Sequence, residues 1–377
     1  MKRRDFLKVC AAGTATLPAG ESLALSRPRP EPAMQVILWC WDARMSWDDQ
    51  PEAITRSMAN PAKPFPYPKR PEAYLTGFKR LVDYLAEIGI WGVIIWGFLR
   101  DTHGGVQAAK ELSRYAADCG VAIIPGVGLC SYGGYYFEGE HPFNLNTYLK
   151  KHPERVSWAV NHRGEVTTPV LDPSLPENRR WWRDGLEWML ENFELGGINF
   201  EMGDFIVNHS LRAKAARASL GFDADANIQD IVVATKELIR FGQNALPEAL
   251  FINATYRGYH QIKNFPRMPF VNALPQAAVW EHTLTGMVEQ PGFPDGFLGT
   301  PEHRKYGYLH WFNASTKSTG RDYVPEIARV FHGAHKLQFE FIGTYGEVSA
   351  IGNPLADRNY RAQSAWAENP ELSLEDF

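Results

Sequence analysis

Short runs of adjoining apolar residues alternate along this chain with longer stretches in which apolar residues return every three or four positions. The short runs read as strands buried on both faces, the longer stretches as amphipathic helices. Strand-like runs fall at 36–40, 92–97, 121–125, 197–201, 250–254, 277–281, 306–312 and 338–343. Helical spacing predicts helices over 71–88, 105–119, 175–194, 226–243, 324–336 and 356–368, the sixth strand–helix unit having the weakest pattern. Alternating strand and helix implies a parallel sheet. Eight units fit a closed barrel better than an open, doubly wound sheet, and no glycine-rich phosphate fingerprint follows the first strand. Gly126 and Gly128 read as isolated turn signals. The expected fold class is α/β: a single (β/α)8 TIM barrel over 25–377, with a long loop between its third strand and the next helix.

That loop, 127–173, has no sustained periodicity and carries Tyr132, Tyr135, Tyr136, Phe137, His141 and Trp158. So long a connection in a compact domain is usually functional, and on this face of a barrel it would overhang the active site. It is expected to act as a lid or subsite wall, with Tyr132, Tyr135 and Tyr136 closing over a ligand.

The densest information lies in 171–204, LDPSLPENRRWWRDGLEWMLENFELGGINFEMGD. Ser174 followed by Glu177 reads as a capping box, and Trp182, Leu186, Met189, Leu190 and Phe193 then repeat at helical spacing. After the Gly196-Gly197 turn, Ile198, Asn199 and Phe200 form a short buried run ending on Glu201, with Asp204 just beyond. An acid at the C-terminal tip of a parallel strand stands where an α/β barrel keeps its chemistry. The segment resembles the LDP…P…R…DGI.FD region of (β/α)8 glycoside hydrolases, the amylase-like and related barrels. It departs from them at Gly196, where those families usually carry Asp.

Cleaving a glycosidic bond takes one acid to protonate the leaving oxygen and one carboxylate to attack, or to activate water. Glu201 ends the fourth strand and Glu281, in Val279-Trp280-Glu281-His282, the sixth. The pair is similar in placement to barrels of the α-galactosidase and α-glucosidase type, which mostly use Asp there. The resemblance implies Glu201 as nucleophile and Glu281 as acid/base. Asp204 competes as a second carboxylate or sugar-hydroxyl acceptor, Asp42 and Glu347 are weaker rivals, and Asp172 reads as a turn residue. Aromatic faces stack on pyranose rings while amides, imidazoles and carboxylates hold hydroxyls. The substrate-binding candidates are thus Trp41, Asp42, Trp96, His103, Asp204, Asn253, Tyr256, His282, His310, Trp311 and Tyr345; Trp280 and Asn313 lie among them.

The leader, MKRRDFLK followed by a short apolar stretch, resembles a twin-arginine export signal and is too short to span a bilayer. Cleavage is expected near Ala24, giving a periplasmic or secreted protein with no stable membrane anchor. Losing four basic and two acidic residues would move the formal charge from −4 to −6. No basic cluster remains, so nucleic acid is not an expected partner. Cys40, Cys119 and Cys130 make no disulfide framework, though Cys40 and Cys130 leave one bridge open.

The first reading is thus an exported glycosidase acting on an oligo- or polysaccharide with two carboxylates, without metal or cofactor. A metal-dependent sugar-processing barrel using Glu201, Glu281, His282 and His310 is the second, although no H-E-x-x-H or paired-Cys spacing is present. A barrel that binds saccharide without cleaving it is the third. An esterase is disfavoured by the absence of a Gly-x-Ser-x-Gly elbow.

Overall fold

The computed structural model describes residues 32–41, 70–130, 132–160, 166–201, 207–208, 210–221, 230–257, 278–284, 287–289, 292, 303–313, 321–345 and 354–377. At 41, 159–160, 167–169, 207, 230–232, 255–257, 278, 280–283, 310–313 and 345 the description is of the backbone. The leader 1–24, Asp42, Asp204 and Glu347 lie outside the described residues.

The strands are β1 (Gln35–Trp41), β2 (Gly92–Trp96), β3 (Ala122–Gly128), β4 (Val156–Val160), β5 (Val166–Leu171), β6 (Gly197–Glu201), β7 (Val207–Asn208), β8 (Leu250–Arg257), β9 (Ala278–Thr283), β10 (Arg304–Asn313) and β11 (Phe341–Tyr345). The helices are α1 (Pro71–Ile88), α2 (Gly105–Asp118), α3 (Leu145–Lys151), α4 (Pro176–Asn192), α5 (Leu211–Ser219), α6 (Asp230–Ala245), α7 (Val324–Lys336) and α8 (Pro354–Glu368). Eight strands close a barrel in the order β1–β2–β3–β6–β8–β9–β10–β11, and β11 pairs back onto β1. Every neighbouring pair is parallel. This is the TIM barrel that the alternating pattern predicts.

Strand parity divides the apolar residues into two cores. Val93, Ile95, Ile123, Ile198, Phe200 and Phe251 point outward to the helices. Ile37, Trp39, Ile94, Trp96, Ile124, Leu250, Ile252, Val279, Tyr306, Tyr308 and Phe341 fill the barrel. Helix α1 shows how the outer layer is built. Pro71 opens it with φ already set, and Tyr74, Phe78, Leu81, Val82, Leu85 and Ile88 bury one stripe. Gly89, at φ +79°, ends it by donating its N–H to Leu85 O. Each fully buried side chain of that size contributes about 1.5–3 kcal/mol before chain entropy is set against it.

Four local expectations change. Gly126 and Gly128 are strand residues of β3 rather than turn signals. A Cβ on Gly126 would lie 2.4 Å from the Trp96 indole, so glycine makes room for that ring. The last strand starts at Phe341, because Gln338 adopts φ +61° at the end of α7 and Phe339 N–H caps Ala334 O. Ser174 is not the N-cap of α4; that place is taken by Leu175, ahead of Pro176, and Ser174 N–H instead donates to Asp172 Oδ1 (2.8 Å). Asp172 is therefore a turn residue, as expected, and its Oδ2 also accepts from Ser210 Oγ at 3.1 Å.

The fourth change is the largest. The loop 127–173 contains α3 and the antiparallel pair β4–β5, and β7 joins them in a separate three-stranded sheet of order β5–β4–β7. Cys40 and Cys130 are buried thiols, which closes the question of a bridge between them.

Candidate active site

Chemistry in such a barrel gathers at the C-terminal strand tips, and β6 carries its acid there. Gly197, Asn199 and Glu201 share the inward parity of β6, whereas Ile198 and Phe200 belong to the outer core. Glu201 is 5% exposed, and its carbonyl accepts from Leu129 N–H at 2.8 Å. Its neighbours in the sheet are Gly128 on β3 and Ala254 on β8. A residue without a side chain stands on one side of it and a methyl group on the other.

Glu281 is related to it through the same register. Asn253 pairs with Trp280, and Arg257 with His282, so Ala254, Thr255 and Tyr256 bulge opposite Glu281 alone. Ala254 thus pairs with Glu201 and opens the bulge that stands opposite Glu281. Two inter-strand steps of about 4.8 Å put the backbones of the two glutamates roughly 10 Å apart. Backbones so spaced can serve the carboxyl separations of either a retaining or an inverting pair, about 5–9.5 Å.

Inside the mouth, Trp39 lies 6.3 Å from Trp96 and 6.4 Å from Tyr308, centroid to centroid. Tyr132 meets the edge of Trp96 at 5.9 Å and holds φ +58°, a left-handed backbone uncommon outside glycine. Of the loop tyrosines, Tyr132 thus reaches the barrel interior. Asn199, two residues below Glu201, is fully buried, and among the described residues neither polar atom of its side-chain amide has a hydrogen-bond partner.

Trp96 stands where the strand-tip reading puts it, turned into the barrel. The backbones of Trp41, Tyr256, His282, His310, Trp311 and Tyr345 lie on the C-terminal parts of β1, β8, β9, β10 and β11. The β10–β11 register shifts between Leu309 and Asn313, across His310 and Trp311. Two candidates lie elsewhere. His103 stacks on Tyr74 of α1 at 4.6 Å and is 3% exposed, so it packs in the helical layer. Asn253 shares the outward parity of Phe251 and is buried there without a hydrogen bond. Trp39, Tyr308 and Asn199 were not expected at the site. Their signal was available as the inward alternation of each strand, one layer below the tip.

Tyr135 and Tyr136 do not line the mouth. Tyr135 is 3% exposed, lies against Gly185 of α4, and donates its hydroxyl to Trp182 O at 2.6 Å. Burial holds its phenol well above the usual range. Tyr136 donates to Asp101 and stacks on His141 at 4.3 Å. Arg100, also buried, pairs with Glu138 and lies over the Phe137 ring. These contacts fix 135–141 to the segment after β2, so this part of the loop is built as structure. Among the described residues no three His, Cys, Asp or Glu side chains gather as a metal-ligand group, and no helix is long and apolar enough to cross a membrane.

No family model matches the chain, and no curated protein matches it either. Solved structures do. An α-amylase from Anoxybacillus aligns with TM-score 0.53 and 12% identity over 90% of this chain and 79% of its own. The β-amylase catalytic domain from Paenibacillus polymyxa aligns with TM-score 0.51 and 11% identity over 89% and 99%. The PgaB (BpsB) glycoside hydrolase domain from Bordetella bronchiseptica aligns with TM-score 0.51 and 12% identity over 87% and 98%. The chain spans about half the length of two further glycosidases it matches, 49% and 56%. At such identities the likeness is one of fold.

Proposed function

We propose that this chain is a glycoside hydrolase that cleaves O-glycosidic bonds of an oligo- or polysaccharide by a retaining mechanism. Glu201 attacks the anomeric carbon while Glu281 protonates the departing oxygen. Glu281 then takes a proton from water, which displaces Glu201 and releases the sugar with Glu281 again protonated. The observation that carries this reading is the buried carboxylate of Glu201 at the inward tip of β6, paired with Ala254 of β8, whose bulge stands opposite Glu281 on β9. Support comes from the half-buried Tyr132, whose ring suits a pyranose face and which rests on Trp96 of the buried cluster that also holds Trp39 and Tyr308. Further support is that solved barrels of similar span are glycoside hydrolases. A panel of aryl glycosides and polysaccharides tests it: at least one should be cleaved, with retention at the anomeric centre. Cleavage of none, or activity that disappears with a chelator, would overturn it.

Export belongs to the same proposal. The Arg3-Arg4 leader would direct the folded chain to the periplasm or the medium. Replacing both with Lys should leave the protein in the cytosolic fraction; unchanged export would refute it.

A further inference from the structure

Outside β6, between α4 and α6, lies a cavity of about 220 Å³ lined by Pro176, Arg179, Arg180, Arg183, Glu237 and Leu238, among others. The sequence reading expects no basic cluster, but the fold brings three arginines together here. Three guanidinium groups from about one turn of α4 face a single lining carboxylate, on a chain whose formal charge is −4. Among the described residues the Arg180 side chain has no ion-pair or hydrogen-bond partner. Arg179 reaches Glu237, and Arg183 its neighbour Asp184, only at 3.9 Å, too far for a hydrogen bond. Some surface arginines form hydrogen-bonded pairs, Arg304 with Glu340 at 2.8 Å and Arg361 with Glu87 at 2.6 Å; what sets the α4 arginines apart is that three of them line one cavity. Three like charges around one concavity raise the local positive potential, which an anion entering it would relieve.

The position gives the groove a use. Helix α4 runs down to β6 and α6 down to β8, so their N-terminal turns lie at the strand-tip end of the barrel, just outside the strand that bears Glu201. Pro176 is the first residue of α4, and the partial positive charge of that helix end adds to the arginines. Guanidinium forks match the paired oxygens of carboxylates and sulfate esters. The floor is apolar, formed by Ala234 and Leu238, so it can pack against a sugar ring while the arginines hold its charge.

We propose that the α4–α6 groove binds an oxyanion carried on a saccharide chain, a uronate carboxylate or a sulfate ester, making acidic polysaccharide the substrate class of the mouth beside it. The saccharide part rests on the glycosidase reading above.

The test is affinity electrophoresis of the full chain at low ionic strength in gels holding polygalacturonate, a sulfated galactan, or a neutral glucan. The wild type should be retarded by at least one acidic polymer and not by the glucan. The triple variant Arg179→Gln, Arg180→Gln, Arg183→Gln should bind that polymer about tenfold more weakly. A control that removes the same charge elsewhere, Lys150→Gln, Lys151→Gln, Lys336→Gln, should stay close to wild type. Retardation by carboxylate alone or by sulfate alone names the group. Equal retardation of wild type and triple variant, equal loss in the control, or equal retardation by the glucan would each overturn the proposal. No step of the assay needs turnover. Retardation without cleavage of any glycoside would therefore refute the glycosidase reading and leave the oxyanion site standing, whereas cleavage without retardation would do the reverse.

Discussion

The two faces of β6 have opposite characters. Outward, Ile198 and Phe200 are fully buried, and the Phe200 ring lies parallel to Phe251 at 6.3 Å. Inward, Asn199 and Glu201 are almost as deeply buried, yet the Asn199 side-chain amide has no hydrogen-bond partner among the described residues and Glu201 brings a carboxylate into the barrel. Burying polar groups in this way costs stability, and apolar burial returns it. Five residues thus divide between holding the barrel together and equipping it. The outer face could be refilled with other apolar residues of similar volume; the inner face could not change without changing what the mouth can do.

Substitutions on adjacent residues should separate the two faces most widely. Glu201→Gln should lower turnover about 10²- to 10⁴-fold with little loss of melting temperature. Phe200→Ala should cost about 3–5 kcal/mol in denaturant unfolding while molecules that remain folded keep their turnover. If Glu201→Gln unfolds the chain, or Phe200→Ala abolishes turnover without destabilising it, the division fails. Asn199→Leu sharpens the comparison further. The variant should unfold about 1–3 kcal/mol later than wild type, because an unsatisfied amide leaves the interior. Destabilisation would mean that Asn199 supports the barrel.

A smaller effect is expected in the loop after β3. Tyr135→Phe removes the hydroxyl bound to Trp182 O and should cost about 1–2 kcal/mol with the Michaelis constant unchanged. A changed Michaelis constant at unchanged stability would return Tyr135 to the subsite wall. The smallest effect concerns His141. Burial lowers its pKa from 6.5, against the opposing pull of Asp101, so the fold prefers neutral imidazole. Its contribution to stability is complete above pH 6.5 and is lost as the pH falls through the folded value. Melting temperature followed from about pH 7.5 to about pH 5 should fall less steeply in His141→Phe than in wild type.

What the sequence disclosed follows the same division. Helices α1 and α7 and strand β6 fall on the expected residues, because their apolar spacing is regular and Pro71 and Gly89 mark the ends of α1. Glu201 was legible as the acid closing such a run. The β4–β5 pair was not, since its strands meet in a small sheet and leave Trp158 at 45% exposure, so their pattern is not that of a buried strand. Gly126 reads as a turn because nothing local in the chain announces that the Trp96 indole occupies its side-chain space. His103 and Asn253 lie close to strand ends in sequence, but His103 belongs to a turn beyond β2 and Asn253 has outward parity. Alternation from Phe251 turns Asn253 outward, and alternation back from Glu201 turns Asn199 inward.

The central claim is that Glu201 is a nucleophile and not merely a buried acid. Hydrolysis of an activated aryl glycoside by Glu201→Gly, with and without azide, tests it most directly. The account predicts a nearly inactive variant whose turnover is restored by azide, with a glycosyl azide of inverted anomeric configuration as the product. Turnover close to wild type without azide, or rescue with that same product in Glu281→Gly but not in Glu201→Gly, would contradict it.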